Sequence, residues 1–338
     1  MVTNKGDEKP RVGTSPLSRH PYLVTCISLL FCAALLAAPA HGYPTRPIRL
    51  VTAEAGGGND FAARVIVQGL GGSLGQQMVV DNRGGAGGQI AVEIVAKSQP
   101  DGYTLLLYAN NIWLIPLLRS NVPYDAVRDF APITWVARSP STVVVHPSLP
   151  VNSVQELIAY AKARPGELNY GSGGTGSTTH LSVELFKAMT GVNIVRIPFK
   201  GNGPALNALV GGQLQVMFAT AGSVAPHIKS GRLKALAVTS AQPSSLTPGL
   251  PTVAAAGLPG YESISIYGLY APAKTPAAIV KRLNGAIVQV LGRADARERF
   301  LTSGVEVVGS SPEQLAAVMK AEIARMDKVI KDAGIRED

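Results

Sequence analysis

Three glycine-rich segments carry residue types that can hold an anion. The first reads Ala53-Glu54-Ala55-Gly56-Gly57-Gly58-Asn59-Asp60, the second Arg83-Gly84-Gly85-Ala86-Gly87-Gly88, and the third Gly171-Ser172-Gly173-Gly174-Thr175-Gly176-Ser177-Thr178-Thr179-His180. Each lies between a strand pattern and a helix pattern. The unpaired amides of the first helical turn, together with the positive end of the helix dipole, favour a carboxylate or phosphate at such a place. Asn59 or Asp60 can cap the helix after the first segment. In the third, the hydroxyls of Thr175, Ser177 and Thr178 add neutral donors, a set that suits a carboxylate. The second segment reads as a strand-to-helix turn that simply needs glycine dihedral angles. Lys200, followed by Gly201, stands in a loop after a strand and before a helix, where an ammonium can pair with an anion.

Rival chemistries fit less well. Gly171, Gly173 and Gly176 match the spacing of a dinucleotide fingerprint, but the acid that would bind the ribose is missing, because no Asp or Glu occurs between Glu184 and Glu262. A Gly-x-Ser-x-Gly match at residues 71–75 falls after a helix and before a strand, the reverse of a nucleophile elbow. Ser177 and His180 are the residues an exported serine hydrolase would use, yet the stretch from Leu185 to Tyr261 offers no acid to orient them. The five histidines are dispersed, without metal-ligand spacing. No metal, cofactor or catalysis is expected.

The elements that position these loops are short strands alternating with longer helices. IRLVTA, QMVVDN, YTLLLYA, STVVVHP, LNYGS, NIVRIPF, QVMFAT and LKALAVTS read as strands, and their continuous apolar runs imply burial on both faces. Ser153 and Glu156 have capping-box spacing before a helix that Pro165-Gly166 ends. Thr275 and Pro276 are expected to open one late helix, and Ser311, Pro312 and Gln314 another, with Leu315, Val318, Ile323, Met326 and Ile330 on one face. The pattern is α/β with parallel-rich sheets.

The first forty residues read as an export signal: Lys5, Lys9, Arg11 and Arg19, an apolar run from Tyr22 to Ala38, and small residues at Ala38-Pro39-Ala40 for cleavage near Ala40. Both cysteines, Cys26 and Cys32, lie in that run, so the exported chain is expected to lack disulfides. Removing the four basic and two acidic side chains of residues 1–40 from totals of 31 and 22 leaves a net charge of +7. The basic residues are scattered with few aromatics between them, which argues against nucleic acid. The remaining length implies two domains. Leu185 to Tyr261 holds no Asp or Glu, marking a separate unit, and the expected division is 41–137 plus 265–338 for one lobe and 138–264 for the other. Strands near STVVVHP and SISIYGLYAP would cross between lobes as the hinge.

At these loops, and in ordered matches from YPTRPIRLV through DNRGGAGG, PDGYTLLL, NYGSGGTGSTTHL, PFKGNGPAL and YGLYAPAKTP, the sequence resembles the extracytoplasmic receptors of tripartite tricarboxylate transporters, the Bug family. The resemblance implies a two-lobed, monomeric, periplasmic Venus-flytrap protein that clamps a small carboxylate and serves a membrane complex of one large and one small subunit. It implies ligand contacts at Ala53, Glu54, Ala55, Gly57, Gly58, Asn59 and Asp60, at Asn110 and Asn111, at Thr175, Gly176, Ser177 and Thr178, at Lys200 and Gly201, and at Ala219. Relatives have proline and aromatic residues where Thr52 to Ala55 stand, often Asp at 219, and often Trp at 266. The lost aromatic at 53 implies a larger pocket, and Glu54, where it faces the cleft, an amino acid or a heteroaromatic acid or amide as guest. A serine hydrolase and a two-lobed sensor module are the alternatives.

Overall fold

The computed structural model describes residues 1–3, 42–53, 55–56, 58–84, 88–173, 176–332 and 334–336. Contacts divide the chain into Met1–Gly42 and Tyr43–Asp338, and every element below belongs to the second unit. The expected export signal falls outside the described residues, apart from residues 1–3.

The chain begins with alternating strands and helices: β1 (Ile48–Thr52), α1 (Gly58–Leu70), β2 (Met78–Asn82), α2 (Gln89–Ala96), β3 (Thr104–Ala109) and α3 (Asn111–Leu118). β1 pairs in parallel with β2 and β3. After β4 (Phe130–Val145) the alternation resumes with α4 (Val154–Ala163), β5 (Asn169–Ser172), α5 (Thr178–Thr190), β6 (Val195–Pro198), α6 (Asn202–Val210), β7 (Val216–Thr220), α7 (Ala221–Lys229) and β8 (Lys234–Val238). β5 is parallel to β6 and β7. The chain returns through β9 (Ile264–Pro272) and ends with α8 (Ala277–Leu291), α9 (Ala294–Thr302), the short β10 (Glu306–Val307) and α10 (Pro312–Asp332).

The strand order is β2-β1-β3-β9-β4-β7-β5-β6, with β8 and β10 also on β4. β4 changes partners along its length. Phe130 to Pro140 pairs antiparallel with β9, whereas Ser141 to Val145 pairs antiparallel with β7 and β8. This one 16-residue strand therefore belongs to two sheet halves. The sequence shows only its second part, because Pro132 and Pro140 lack the N–H a ladder needs and read as breaks. Pro132 sits at a register shift, and Pro140 where the strand changes partners, the two places where a missing donor costs least.

Both faces of each half are covered, which accounts for the continuous apolar runs. In β3, Leu105 and Leu107 enter a core with α1 and α8 residues, while Leu106 and Tyr108 enter the opposite core with α2, α3 and α10 residues. In β4, Val143 and Val145 face one core and Val144 the other. Ser153 caps α4 by accepting the Glu156 N–H at 3.1 Å. Ser311 and Gln314 form a reciprocal box before α10, with contacts of 3.3 and 2.9 Å. Thr275 departs from expectation: its hydroxyl donates to the Pro272 carbonyl at 2.8 Å, and Pro276 takes the cap position of α8.

Phe186 is fully buried in the second half, with its ring 5.4 Å from Phe218 and 6.3 Å from Tyr261. Phe186→Ala is expected to destabilise the fold by about 3–5 kcal/mol, read as a lowered urea midpoint. Val79→Ser on the exposed edge strand should move it by less than about 0.5 kcal/mol.

Candidate ligand-binding site

The direction of β4 fixes which strand ends face each other. β1 and β3 run the same way as β4 toward the second half, while β5 and β7 run against it toward the first. The carboxyl ends of both sets, and the helices that follow them, thus meet across one crevice, the place where ligands bind in open α/β sheets.

The crevice encloses a cavity of about 720 Å³. One wall holds Ala53, Gly56, Gly58, Asn59 and Phe61 from the β1–α1 turn, and Tyr108, Ala109, Asn111, Ile115 and Arg119 from β3 and α3. Gly176, Ser177, Thr178, Thr179, Asn202, Thr220 and Ser223 form the facing wall. Between them lie Ser139 and Ser141 on β4, Ser265 and Tyr267 on β9, and Ser303 and Val305 beside β10. The first residues of α1, α3, α5 and α6 reach this surface, as do the cap Thr220 and Ser223 in the first turn of α7. Their amides and dipoles give it positive potential. Among the described lining residues Arg119 supplies the side-chain cation, and none is Asp or Glu.

Asp60 holds the first loop in shape. Its carboxylate accepts the Gly56 N–H at 2.9 Å, Asn82 Nδ2 at 2.9 Å and Arg64 Nε at 3.0 Å, and Asn82 also donates to the Ala53 carbonyl at 2.8 Å. Burial raises the Asp60 pKa, but the bonds from Arg64, Gly56 and Asn82 outweigh it and leave the group below the usual carboxylate range. Gly58 opens α1 close to Tyr267: a β-carbon there would lie 2.6 Å from Tyr267 Oη, so the phenol would have to shift. Burial pushes the Tyr267 phenol up to about 12, so it stays protonated at neutral pH. Asn59 Oδ1 and Ser141 Oγ are buried without a hydrogen-bond partner among the described residues.

The third loop is braced by its own hydroxyls. Ser177 Oγ accepts the His180 N–H at 3.3 Å and lies 3.0 Å from Thr179 Oγ1, which accepts the Gly173 N–H at 3.1 Å and donates to Asn202 Oδ1 at 3.0 Å. His180 Nδ1 accepts the Gly176 N–H at 3.1 Å. Ser177 and His180 thus serve to shape the helix start. Thr178 Oγ1 is 3.0 Å from Ser265 Oγ, a bond that joins the facing wall to β9.

Of the residues singled out from sequence, the structure brings Ala53, Gly58, Asn59, Asn111, Gly176, Ser177 and Thr178 to the cavity wall. Asp60 and Asn110 stand behind it. Asn110 donates to the Ile264 carbonyl and accepts the Ile266 N–H, both at 3.2 Å, tying α3 to β9. Ala219 faces the core beneath α6 and α7, because strand alternation gives the cavity side to Thr220. Ala55, Lys200 and Gly201 do not line the cavity, and Lys200 is exposed. Glu54, Gly57 and Thr175 lie outside the described residues. Of the second glycine segment, residues 85–87 also lie outside, and Gly88 packs behind the wall against Tyr108 Oη. Sequence reading missed the strand residues Ser139, Ser141, Ser265 and Tyr267. Their signal was polar groups two apart within apolar strands, which puts both members of each pair on one face.

Two α/β lobes joined by shared strands, with the cavity between their strand ends, define a solute-binding protein of the Venus-flytrap kind. The chain belongs to the tripartite tricarboxylate transporter receptor family, whose pattern matches residues 62–335. Protein BugT of Bordetella pertussis (strain Tohama I) is 37% identical over 319 residues, covering 93% of this chain and 98% of its own. Among solved structures, Rpa4515 of R. palustris with adipate is 41% identical, with a TM-score of 0.76 over 87% of this chain and 99% of that one. The periplasmic binding protein BugD is 34% identical, with a TM-score of 0.74 over 88% and 100%. MatC of Rhodopseudomonas palustris with bound malate is 31% identical, with a TM-score of 0.73 over 85% and 100%. The resemblance seen in the loops thus extends to the whole fold.

Asp60→Asn should lower stability at neutral pH by about 1–2 kcal/mol by loosening the first loop. Because the folded pKa of Asp60 is lowered, its contribution is complete above the unfolded value of about 3.9 and is lost as pH falls toward the folded value. The melting-temperature gap between wild type and variant is therefore expected to narrow below about pH 4, measured by calorimetry across pH.

Proposed function

We propose that this protein is a periplasmic receptor that captures a small carboxylate between its lobes and presents it to a membrane transporter of one large and one small subunit. The observation that carries this reading is the convergence of helix N-termini and hydroxyls on a cavity whose described lining contains no carboxylate side chain. Such a wall supplies charge-assisted hydrogen bonds to an anion without competing for them. Family members solved with adipate and with malate support the ligand class. Among the described residues no helix is long and apolar enough to cross a membrane. The family and the signal-like N-terminus support a periplasmic receptor rather than an enzyme, and in this reading it acts as a monomer.

In this mechanism the lobes, 41–137 plus 265–338 against 138–264, open and close about the partner change in β4 and the return into β9. The ligand bonds both walls at once and so favours the closed state. Arg119 offers a second, cationic contact, which favours ligands with two acidic groups. The volume also admits bulk between those groups, including a ring. Where Glu54 faces the cleft, it would select an amine or amide on the guest.

Thermal shift with adipate, malate, succinate and a pyridine carboxylate tests this. At least one acid should raise the melting temperature while its uncharged amide does not. Thr178→Val should weaken binding about tenfold, or about 1.4 kcal/mol. Arg119→Gln should weaken dianions more than monoanions. Absence of any carboxylate response, with fluorophosphonate labelling at Ser177, would replace the receptor reading with the hydrolase.

A further inference from the structure

The two halves also meet at one side of the cavity, beside the partner change in β4. Gly222, in the first turn of α7, lies backbone to backbone against Gly304, in the turn between α9 and β10. A β-carbon on Gly222 would sit 3.0 Å from both Gly304 Cα and the Ser303 carbonyl oxygen. One on Gly304 would sit 2.6 Å from both Cα and N of Gly222. Side chains cannot occupy those places unless the two segments separate.

Each segment is fastened to a different half. The Gly304 carbonyl accepts Ser139 Oγ at 2.9 Å, and the residues beyond it pair with the first part of β4 through Val308 N–H to Val136 O at 3.0 Å and Gly309 N–H to Trp135 O at 2.9 Å. α7 follows directly from β7, which pairs with Ser141 to Val145. The partner change between Pro140 and Ser141 lies between the two anchorages. Both segments reach the cavity through their neighbours, Thr220 and Ser223 on one side, Ser303 and Val305 on the other.

We propose that Gly222 and Gly304 are positioning residues for ligand capture: their backbone contact is the stop against which the lobes close, and it sets the width of the cleft. Hydrogen bonds fix why width matters. A separation of roughly 0.5–1 Å stretches a contact near 2.9 Å past the bonding range, so a ligand held by one wall loses its partners on the other. Two glycines let the walls approach to backbone distance, closer than any pair with side chains allows.

The affinity arm of the test rests on the carboxylate-receptor reading, and the distance arm does not. Gly222→Ala adds one methyl group in a helix, where alanine is the better former. Gly304→Asn adds a side chain while tolerating the positive φ of 75° found there. Gly285→Ala, in α8 with open space around it, is the control. Spin labels on Lys162→Cys and Lys281→Cys report the distance between the halves, with and without adipate.

Gly222→Ala is expected to keep or raise the ligand-free melting temperature yet weaken adipate binding at least threefold. Gly304→Asn should weaken it about tenfold and shift the mean label distance by about 2 Å or more. The control should leave both unchanged. Unaltered label distances in both glycine variants overturn the proposal, as does wild-type affinity in both. Should wild type bind none of the acids, the receptor reading fails on its own, and the label distance alone decides the glycine contact.

Discussion

One strand belongs to two sheets, and the rest of the architecture follows from that constraint. Because β4 enters the second half still hydrogen-bonded, its neighbours there run against it while β1 and β3 in the first half run with it. Strands on either side therefore point their carboxyl ends inward, at each other. Helices that start at those ends bring amides and the positive ends of their dipoles into one space. The same strand also furnishes the floor, with Ser139 and Ser141 between the walls.

Convergent positive ends repel, so the loops need bracing. Asp60 does this for the first loop from behind the wall, where its carboxylate takes three donors and adds no negative charge to the lining. Hydroxyls do it for the third, where Ser177 and Thr179 bond one another and hold Gly173, His180 and Asn202 in place. The Thr178–Ser265 bond, which joins the facing wall to β9, lies at the cavity itself.

Much of this was legible in the residues. Continuous apolar runs marked strands covered on both faces, and alternate leucines and valines of β3 and β4 do enter opposite cores. Glycine turns between strand and helix marked two loops that line the cavity, since few other residues allow that geometry. Other features were hidden. Pro132 and Pro140 concealed two thirds of β4. Thr275 looked like a cap but bonds backward to Pro272, a competition local spacing cannot settle. Ala219 and Thr220 differ by one position, and only the pairing of β7 with β4 decides which faces the cavity.

Sequence by itself determined the α/β alternation, the loops that open helices, and the family, because these depend on local dihedral preference, periodicity and ordered motifs. Tertiary structure alone decided the wall. Ser139, Ser141, Ser265 and Tyr267 become neighbours of Gly58 and Thr178 only when β4 and β9 cross between the halves, and Gly222 meets Gly304 across 82 residues of chain. Contacts so distant along the chain leave no local pattern, since each partner's residue type is set by the space the other leaves.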